Sequence, residues 1–322
     1  MPGLRVPGGF LRRHRTAVAS WAALSVAATS LVAYAVSSKG FPAHEADLND
    51  GGVWVTNQQI GAIGRQNVPI GQLDSLAWAG KQVTAVAGLD VLQNGAAVVS
   101  YDPAGILTPI DVTQGAAVPD QQVSIKGRPA MGGSVVSVVD PESGALWATH
   151  VDPATGQGSL SGVSGDARKL ATVGGDAAGT VAEDGTVLAV SAAKGTVTTV
   201  QALDGSFAKP RRSTLSKRPS GGIAALAAVG DTAVVLDKTG RVLTGDHAVP
   251  IGEDAQLQQD GPARDEVLVA TSDALEAVTL ADGRRRVVSK AEWGEEPGRP
   301  VRLGNCDWQV WSASGSAHVV TA

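Results

Sequence analysis

The sequence has a single cysteine, Cys306, in 322 residues. One thiol excludes a disulfide framework and any metal site built on cysteine pairs. Aromatic residues are also scarce, at 4%, so the 43% hydrophobic content must fill a core with Val, Ala, Leu and Ile. Helical periodicity is almost absent; Ser289–Trp293 offers at most a turn or two. Acids are missing from the N-terminus: residues 1–44 hold Arg5, Arg12, Arg13, Arg15 and Lys39 and no Asp or Glu. Because the whole chain sums to −5, the part from Glu45 onward carries −10. A body this acidic argues against nucleic acid as a partner.

Glycine is abundant, with 40 copies, and it alternates with short β-branched runs. That combination indicates an all-β, turn-rich chain. The clearest unit is Val135 to Trp147, read as Val-Val-Ser-Val-Val-Asp-Pro-Glu-Ser-Gly-Ala-Leu-Trp. Its valines suit a pleated, buried surface. Asp140, Pro141 and Gly144 are turn residues for separate reasons: a side-chain acceptor, a fixed φ and tolerance of positive φ.

Residues 16–36 carry no charge and follow the basic cluster Arg12, Arg13 and Arg15. As a helix at ~1.5 Å per residue they span roughly 30 Å, a hydrocarbon core. They read as an uncleaved signal anchor, with residues 1–15 a basic cytoplasmic tail, 37–45 a linker and 46–322 an extracytoplasmic body. The competing reading is a signal peptide cleaved after Ala35, at Ala33-Tyr34-Ala35, which would make the body secreted.

Seven segments of the body resemble one another. Anchored on Val53, Val98, Val136, Val187, Val234, Val267 and Trp308, they step by 45, 38, 51, 47, 33 and 41 residues. Four-stranded propeller blades run about 40–50 residues. The expectation is an all-β fold: a β-propeller of about seven four-stranded blades, with six or eight as alternatives, preceded by one transmembrane helix. A β-sandwich is the competing architecture, since it shares short strands and turns. The first stretch, Asp47–Thr56, has two readings: a blade of its own, or the missing strand of the last blade.

Val138-Val-Asp-Pro-Glu-Ser-Gly-Ala-Leu-Trp147 resembles the short repeat of PQQ-like, quinoprotein-type propellers. That repeat is an apolar residue, Asp, two turn residues, Gly and, three residues later, Trp. Asp140 to Gly144 is one residue longer in the turn than the usual pattern; Asp237-Lys-Thr-Gly240 has the usual length, with Leu243 where Trp is expected. The layout as a whole is similar to actinobacterial membrane-anchored propellers opening on a stretch like Leu48 to Asn57, Leu-Asn-Asp-Gly-Gly-Val-Trp-Val-Thr-Asn. That resemblance implies a cell-surface module, often followed by Ig-like or fibronectin type III domains.

Searches for chemistry return nothing specific. His14, His44, His150, His247 and His318 show no His-x-His or His-x-x-x-His spacing, so no metal site is indicated. There is no Gly-x-Ser-x-Gly elbow and no P-loop. Gly156, Gly158 and Gly162 read as a loop, and Glu183-Asp184 and Glu295-Glu296 as solvated turns. Trp54, Trp147, Trp308 and Trp311 read as packing between blades. No catalytic residue and no cofactor is assigned. Two basic runs remain: Lys209, Arg211, Arg212, Lys217 and Arg218, then Arg284, Arg285 and Arg286. They are candidate contacts for an anionic envelope polymer or lipid headgroup.

The functional expectation is therefore a non-enzymatic, membrane-anchored, monomeric propeller that binds an envelope protein or polymer. The alternatives are a glycan-acting hydrolase, a quinoprotein-like enzyme, or a sensory or spacer domain for downstream domains.

Overall fold

The computed structural model describes residues 52–67, 72–78, 85–152, 156, 158–291, 296–303, 307–311 and 317–321, with backbone alone for 303–309 and 311–321. The tail, anchor and linker expected over residues 1–45, together with Cys306, Trp293 and the side chains of Trp308 and Trp311, lie outside the described residues. No helix among the described residues is long and apolar enough to cross a membrane.

Among the described residues, seven antiparallel sheets of three to five strands follow one another, each built from a contiguous stretch of chain. The first comprises Gly52–Asn57, Ala62–Asn67 and Gln72–Trp78. The second comprises Asp90–Asn94, Ala97–Tyr101, Ile106–Asp111 and Ala116–Ala117, with Val123–Ser124 added as a fifth strand. The third holds Arg128–Gly132, Val135–Val139, Ala145–His150 and Ala171–Thr172. The fourth holds Ala177–Val181, Val187–Ser191, Thr196–Val200 and Arg211–Thr214, with the hairpin Ala202–Leu203/Ser206–Phe207 before its last strand. The fifth is Ile223–Val229, Thr232–Asp237, Arg241–Thr244 and His247–Pro250; the sixth is Gln256–Leu257, Glu266–Ala270, Ala274–Thr279 and Arg285–Lys290. The seventh is Val301–Leu303, Asp307–Trp311 and Ala317–Thr321. Ser289 and Lys290, expected to start a helical turn, instead end the outer strand of the sixth sheet, where Ser289 pairs with Leu275.

The repeat seen in the sequence is the second strand of each sheet and the turn after it. Val98, Val136, Val187, Val234, Val267 and Trp308 all fall on second strands. Val53 does not: Gly52–Asn57 is the first strand of its own sheet and pairs with Ala62–Asn67. Among the described residues it adds nothing to the seventh sheet.

Second strands lack polar alternation because both faces are covered. All five residues of Val135–Val139 are buried, as are all five of Val187–Ser191. Each pair of neighbouring sheets shares an apolar layer. Trp54 and Ile63 pack with Val98 and Ile110; Val99 and Leu107 with Val136, Val138 and Trp147; Val135 and Leu146 with Val181 and Ala189. The series continues through Val190 with Leu226 and Val235, Val234 with Val267 and Val269, and Leu268 with Val310. Trp54 and Trp147 are thus wedges between sheets. The first strands of sheets one to six touch in succession, so each sheet meets the next along its first edge as well as its face.

One turn recurs between second and third strands. Asp140 Oδ1 accepts the Glu142 N–H at 2.9 Å and Oδ2 accepts the Ser143 hydroxyl at 2.7 Å. Asp102 and Asp237 play the same part, Asp102 Oδ1 accepting Ile106 N–H at 3.0 Å and Asp237 Oδ1 accepting Thr239 N–H at 3.0 Å. Hydroxyls replace the carboxylate in the fourth and sixth sheets, where Ser191 accepts Lys194 N–H and Thr271 accepts Ala274 N–H. The glycine closing the turn then holds the chain entering the next sheet. The carbonyls of Gly105, Gly144, Gly195 and Gly240 accept N–H groups of Ile125, Val173, Leu215 and Ile251 at 2.7–2.8 Å. Gly144 has φ of 68°, and a Cβ there would lie 2.1 Å from the Gly174 carbonyl oxygen, so glycine is required twice over.

Candidate functional site: a cleft beside the third-sheet insertion

A buried charged cluster lies against the first strands. Asp260 accepts the Thr180 hydroxyl and the Ala228 N–H, both at 2.6 Å. Arg299 donates to the carbonyls of Gln258 at 2.7 Å, Leu257 at 3.0 Å and Leu226 at 3.3 Å. Burial pushes the Asp260 carboxyl above its ordinary range, against the pull of Thr180, Ala228 and the Arg299 charge. Burial likewise lowers Arg299, Asp260 opposing it. Both groups are engaged with the protein itself. They join the first strands of the fourth, fifth and sixth sheets to the segment leading into the seventh, which is a structural task.

The repeat is most irregular in the second and third sheets. Between third and fourth strands, the fifth sheet needs only Gly245 and Asp246, whereas the third inserts Val151 to Leu170. This insertion carries two 3-10 helices, Leu160–Val163 and Asp166–Arg168. Ser159 caps the first by accepting Ser161 N–H at 3.3 Å. Leu160 and Val163 are buried against Trp147 and Leu107, and the Trp147 indole N–H donates to Gly165 O at 2.9 Å. The second sheet contributes the 3-10 turn Pro119–Gln121 and its extra strand Val123–Ser124.

These irregular parts enclose a cleft of about 880 Å³. One wall is Asp111, Asp120, Gln121 and Gln122; the other is Ser159 and Ser161, with Pro109 and Leu160 among the apolar lining. The Thr113 hydroxyl at 2.6 Å and the Gln114 N–H at 3.1 Å hold the Asp111 carboxyl below its ordinary range, so it is ionised at neutral pH. Gln122 Nε2 donates to Thr108 Oγ1 at 3.1 Å. Ser159 and Ser161 hydroxyls lie 2.7 Å apart, and the Arg168 guanidinium donates to Ser161 Oγ. No Lys or Arg lines the cleft. Its volume is that of a small-ligand site, ~300–1,000 Å³. A second cavity of about 340 Å³ lies by Gln58, Leu89, Tyr101 and Arg128.

The two basic runs lie on and beside the outer strands of different sheets, with Arg211, Arg212, Arg285 and Arg286 on the strands themselves. Lys209, Arg211, Arg212, Lys217 and Arg218 are exposed along the fourth sheet's edge. Arg212 donates to the Thr172 carbonyl at 2.6 Å, and no carboxylate pairs with these five among the described residues. Arg284, Arg285 and Arg286 are exposed on the sixth sheet, each against an acid: Asp282 at 2.6 Å, Glu276 at 2.7 Å and Glu266 at 2.8 Å. No group of three or more His, Cys, Asp or Glu suited to a metal occurs among the described residues. His150 and His247 sit on strands, not in loops; His150 stacks on Phe207 at 4.5 Å. Gly162, expected in a plain loop, lies within a 3-10 helix.

The cleft was not legible in the sequence, because its walls lie some forty residues apart and carry no motif. The usable signal was negative: Gly156 to Ser161 breaks the strand-turn rhythm.

No family model and no curated protein matches the chain. Solved structures do. BamB from Moraxella catarrhalis is 14% identical with a TM-score of 0.52, over 84% of this chain and 82% of that one. A streptogramin B lyase is 10% identical with a TM-score of 0.52, over 85% and 91%. The dihydro-heme d1 dehydrogenase NirN, in complex with DHE, is 10% identical with a TM-score of 0.55, over 83% of this chain and 60% of that one. All three are β-propeller proteins, and the fold of this chain is a β-propeller.

Proposed function

We propose that this chain is a seven-bladed propeller that acts as a binding module at the bacterial cell envelope, anchored through residues 16–36 with its body outside the membrane. The observation that carries the binding reading is the division of labour in the fold. The buried charges Asp260 and Arg299 are consumed by inter-sheet hydrogen bonds, while the departures from the repeat converge on an open, polar cleft. Loops on a rigid scaffold are where binding groups concentrate. Lys209, Arg211, Lys217 and Arg218 supply a second contact, to anionic polymer or headgroups at the envelope surface, because no acid neutralises them. The paired Arg284, Arg285 and Arg286 would contribute less.

Co-sedimentation with isolated actinobacterial cell walls tests this reading. Full-length protein should sediment with the walls, and neutralising the four free bases should weaken sedimentation and its salt dependence. Protease added to intact cells should degrade the body and spare an N-terminal tag. Soluble protein after mixing with walls, or a protected body, would refute the proposal.

A further inference from the structure

The propeller is read above as a binding module, and on that reading we infer that the cleft beside the third-sheet insertion takes a neutral oligosaccharide. The lining matches the chemistry of a sugar in three respects. First, a sugar hydroxyl donates and accepts at once, and the cleft offers both kinds of partner. The carboxylates of Asp111 and Asp120 accept, and the amides of Gln121 and Gln122 do both. Gln122 gives one of its two amide N–H groups to Thr108 and keeps the other. Second, a sugar ring presents apolar C–H faces, and the half-buried Pro109 and Val118 interrupt the polar lining.

Third, the charge selects against the other envelope chemistry. Two carboxylates and no base are among the cleft's described lining residues, and the Thr113 hydroxyl and Gln114 N–H donate to the Asp111 carboxylate. A phosphorylated or sulfated chain would be repelled here. Anionic and neutral polymers would therefore meet different parts of the molecule, the first at the fourth-sheet edge and the second in this cleft. The insertion is fixed for the purpose: Leu160 and Val163 are 2% and 1% exposed, and Trp147 is bonded to its backbone. A cleft held by buried anchors loses little freedom when a ligand binds.

The test is calorimetric titration of the full-length chain, kept in lauryldimethylamine oxide so that the detergent carries no sugar. The probes are cellotetraose, maltotetraose, chitotetraose, mannotetraose and arabinotetraose, with tetralysine and tetraglutamate as charged comparators. At least one tetrasaccharide should bind, tetraglutamate should not, and the affinity should fall at least tenfold in Gln121→Ala and in Ser161→Trp, which fills the cleft from an exposed position. Unchanged circular dichroism and wall co-sedimentation would show that both variants fold. Failure of every tetrasaccharide, or binding that Ser161→Trp leaves unaltered, overturns the inference. Tetralysine binding lost in Ser161→Trp overturns the sugar class. Either failure with wall co-sedimentation intact would leave the binding-module reading standing, whereas loss of sedimentation in the wild type would remove that reading itself.

Discussion

Asp237 shows how much one turn residue can carry. Its side chain is fully buried and accepts N–H groups from Ser220 at 2.9 Å, Thr239 at 3.0 Å and Arg241 at 3.0 Å, and an Arg241 guanidinium N–H at 2.7 Å. Burial alone would raise the carboxyl, but these donors outweigh it and set its pKa at about 2, against 3.8 ordinarily. A depressed carboxylate stabilises the fold above its unfolded pKa and loses that contribution as the pH falls from about 4 toward 2. At ~1.4 kcal/mol per pKa unit the contribution is about 2 kcal/mol. Asp237→Asn should therefore lower stability by about 2 kcal/mol at pH 7 and by much less near pH 2, as read from urea unfolding at the two pH values. A residue of this kind was half-legible: Asp237-Lys-Thr-Gly240 reads as a turn, but nothing local says that Ser220 and Arg241 will converge on its carboxylate.

At the level of the element, the turn glycines divide into those that are packed and those that are free. Gly144 and Gly205 have similar φ values, 68° and 63°, but a Cβ on Gly205 meets nothing within 4 Å. Gly205→Ala should cost about 1–2 kcal/mol, the penalty of the left-handed conformation. Gly144→Ala adds the overlap with Gly174 and should cost roughly 3 kcal/mol or more; thermal unfolding of the two variants compares them directly. Trp147→Ala should cost about 3–5 kcal/mol and free the insertion, seen as faster hydrogen exchange over Ser161–Arg168. The second strands were legible because burial on both faces leaves an unbroken apolar run, as in Val135–Val139. First strands vary more: Arg128–Gly132 has no buried residue, whereas Ile223–Val229 has four, so no single pattern marks them, and Val53 on its own resembles a second-strand valine.

Across the whole molecule, Asp260 and Arg299 link parts of the chain that are far apart in sequence. Asp260 bonds Thr180, 80 residues away, and Arg299 bonds Leu226, 73 residues away. Removing one buried charge leaves its partner uncompensated, which typically costs ~3–5 kcal/mol. Asp260→Ala and Arg299→Ala should each destabilise on that scale. Because each acts on the other's charge, the double variant should lose less than the two singles combined, by about 1 kcal/mol, in a denaturant-based double-mutant cycle. Asp260 carries a raised carboxyl, so its own contribution is greatest in acid and declines as the pH rises through its folded pKa, opposite in sign to Asp237. Neither residue stands out in Gln-Gln-Asp-Gly-Pro or Pro-Gly-Arg-Pro, since burial of a charge is a property of the assembled sheets.

The inter-strand turn also bears on how such a chain can change over generations. Its head position is filled by Asp102, Asp140, Ser191, Asp237 and Thr271 in successive sheets, so what is selected is one well-placed oxygen, whichever side chain bears it. The clamp onto the following sheet is made by a glycine carbonyl, a backbone atom that substitutions elsewhere leave untouched. A blade specified by an oxygen and a backbone carbonyl can exchange nearly all of its side chains and keep its bonds. Solved propellers with only 10–14% of residues identical to this chain have the same fold.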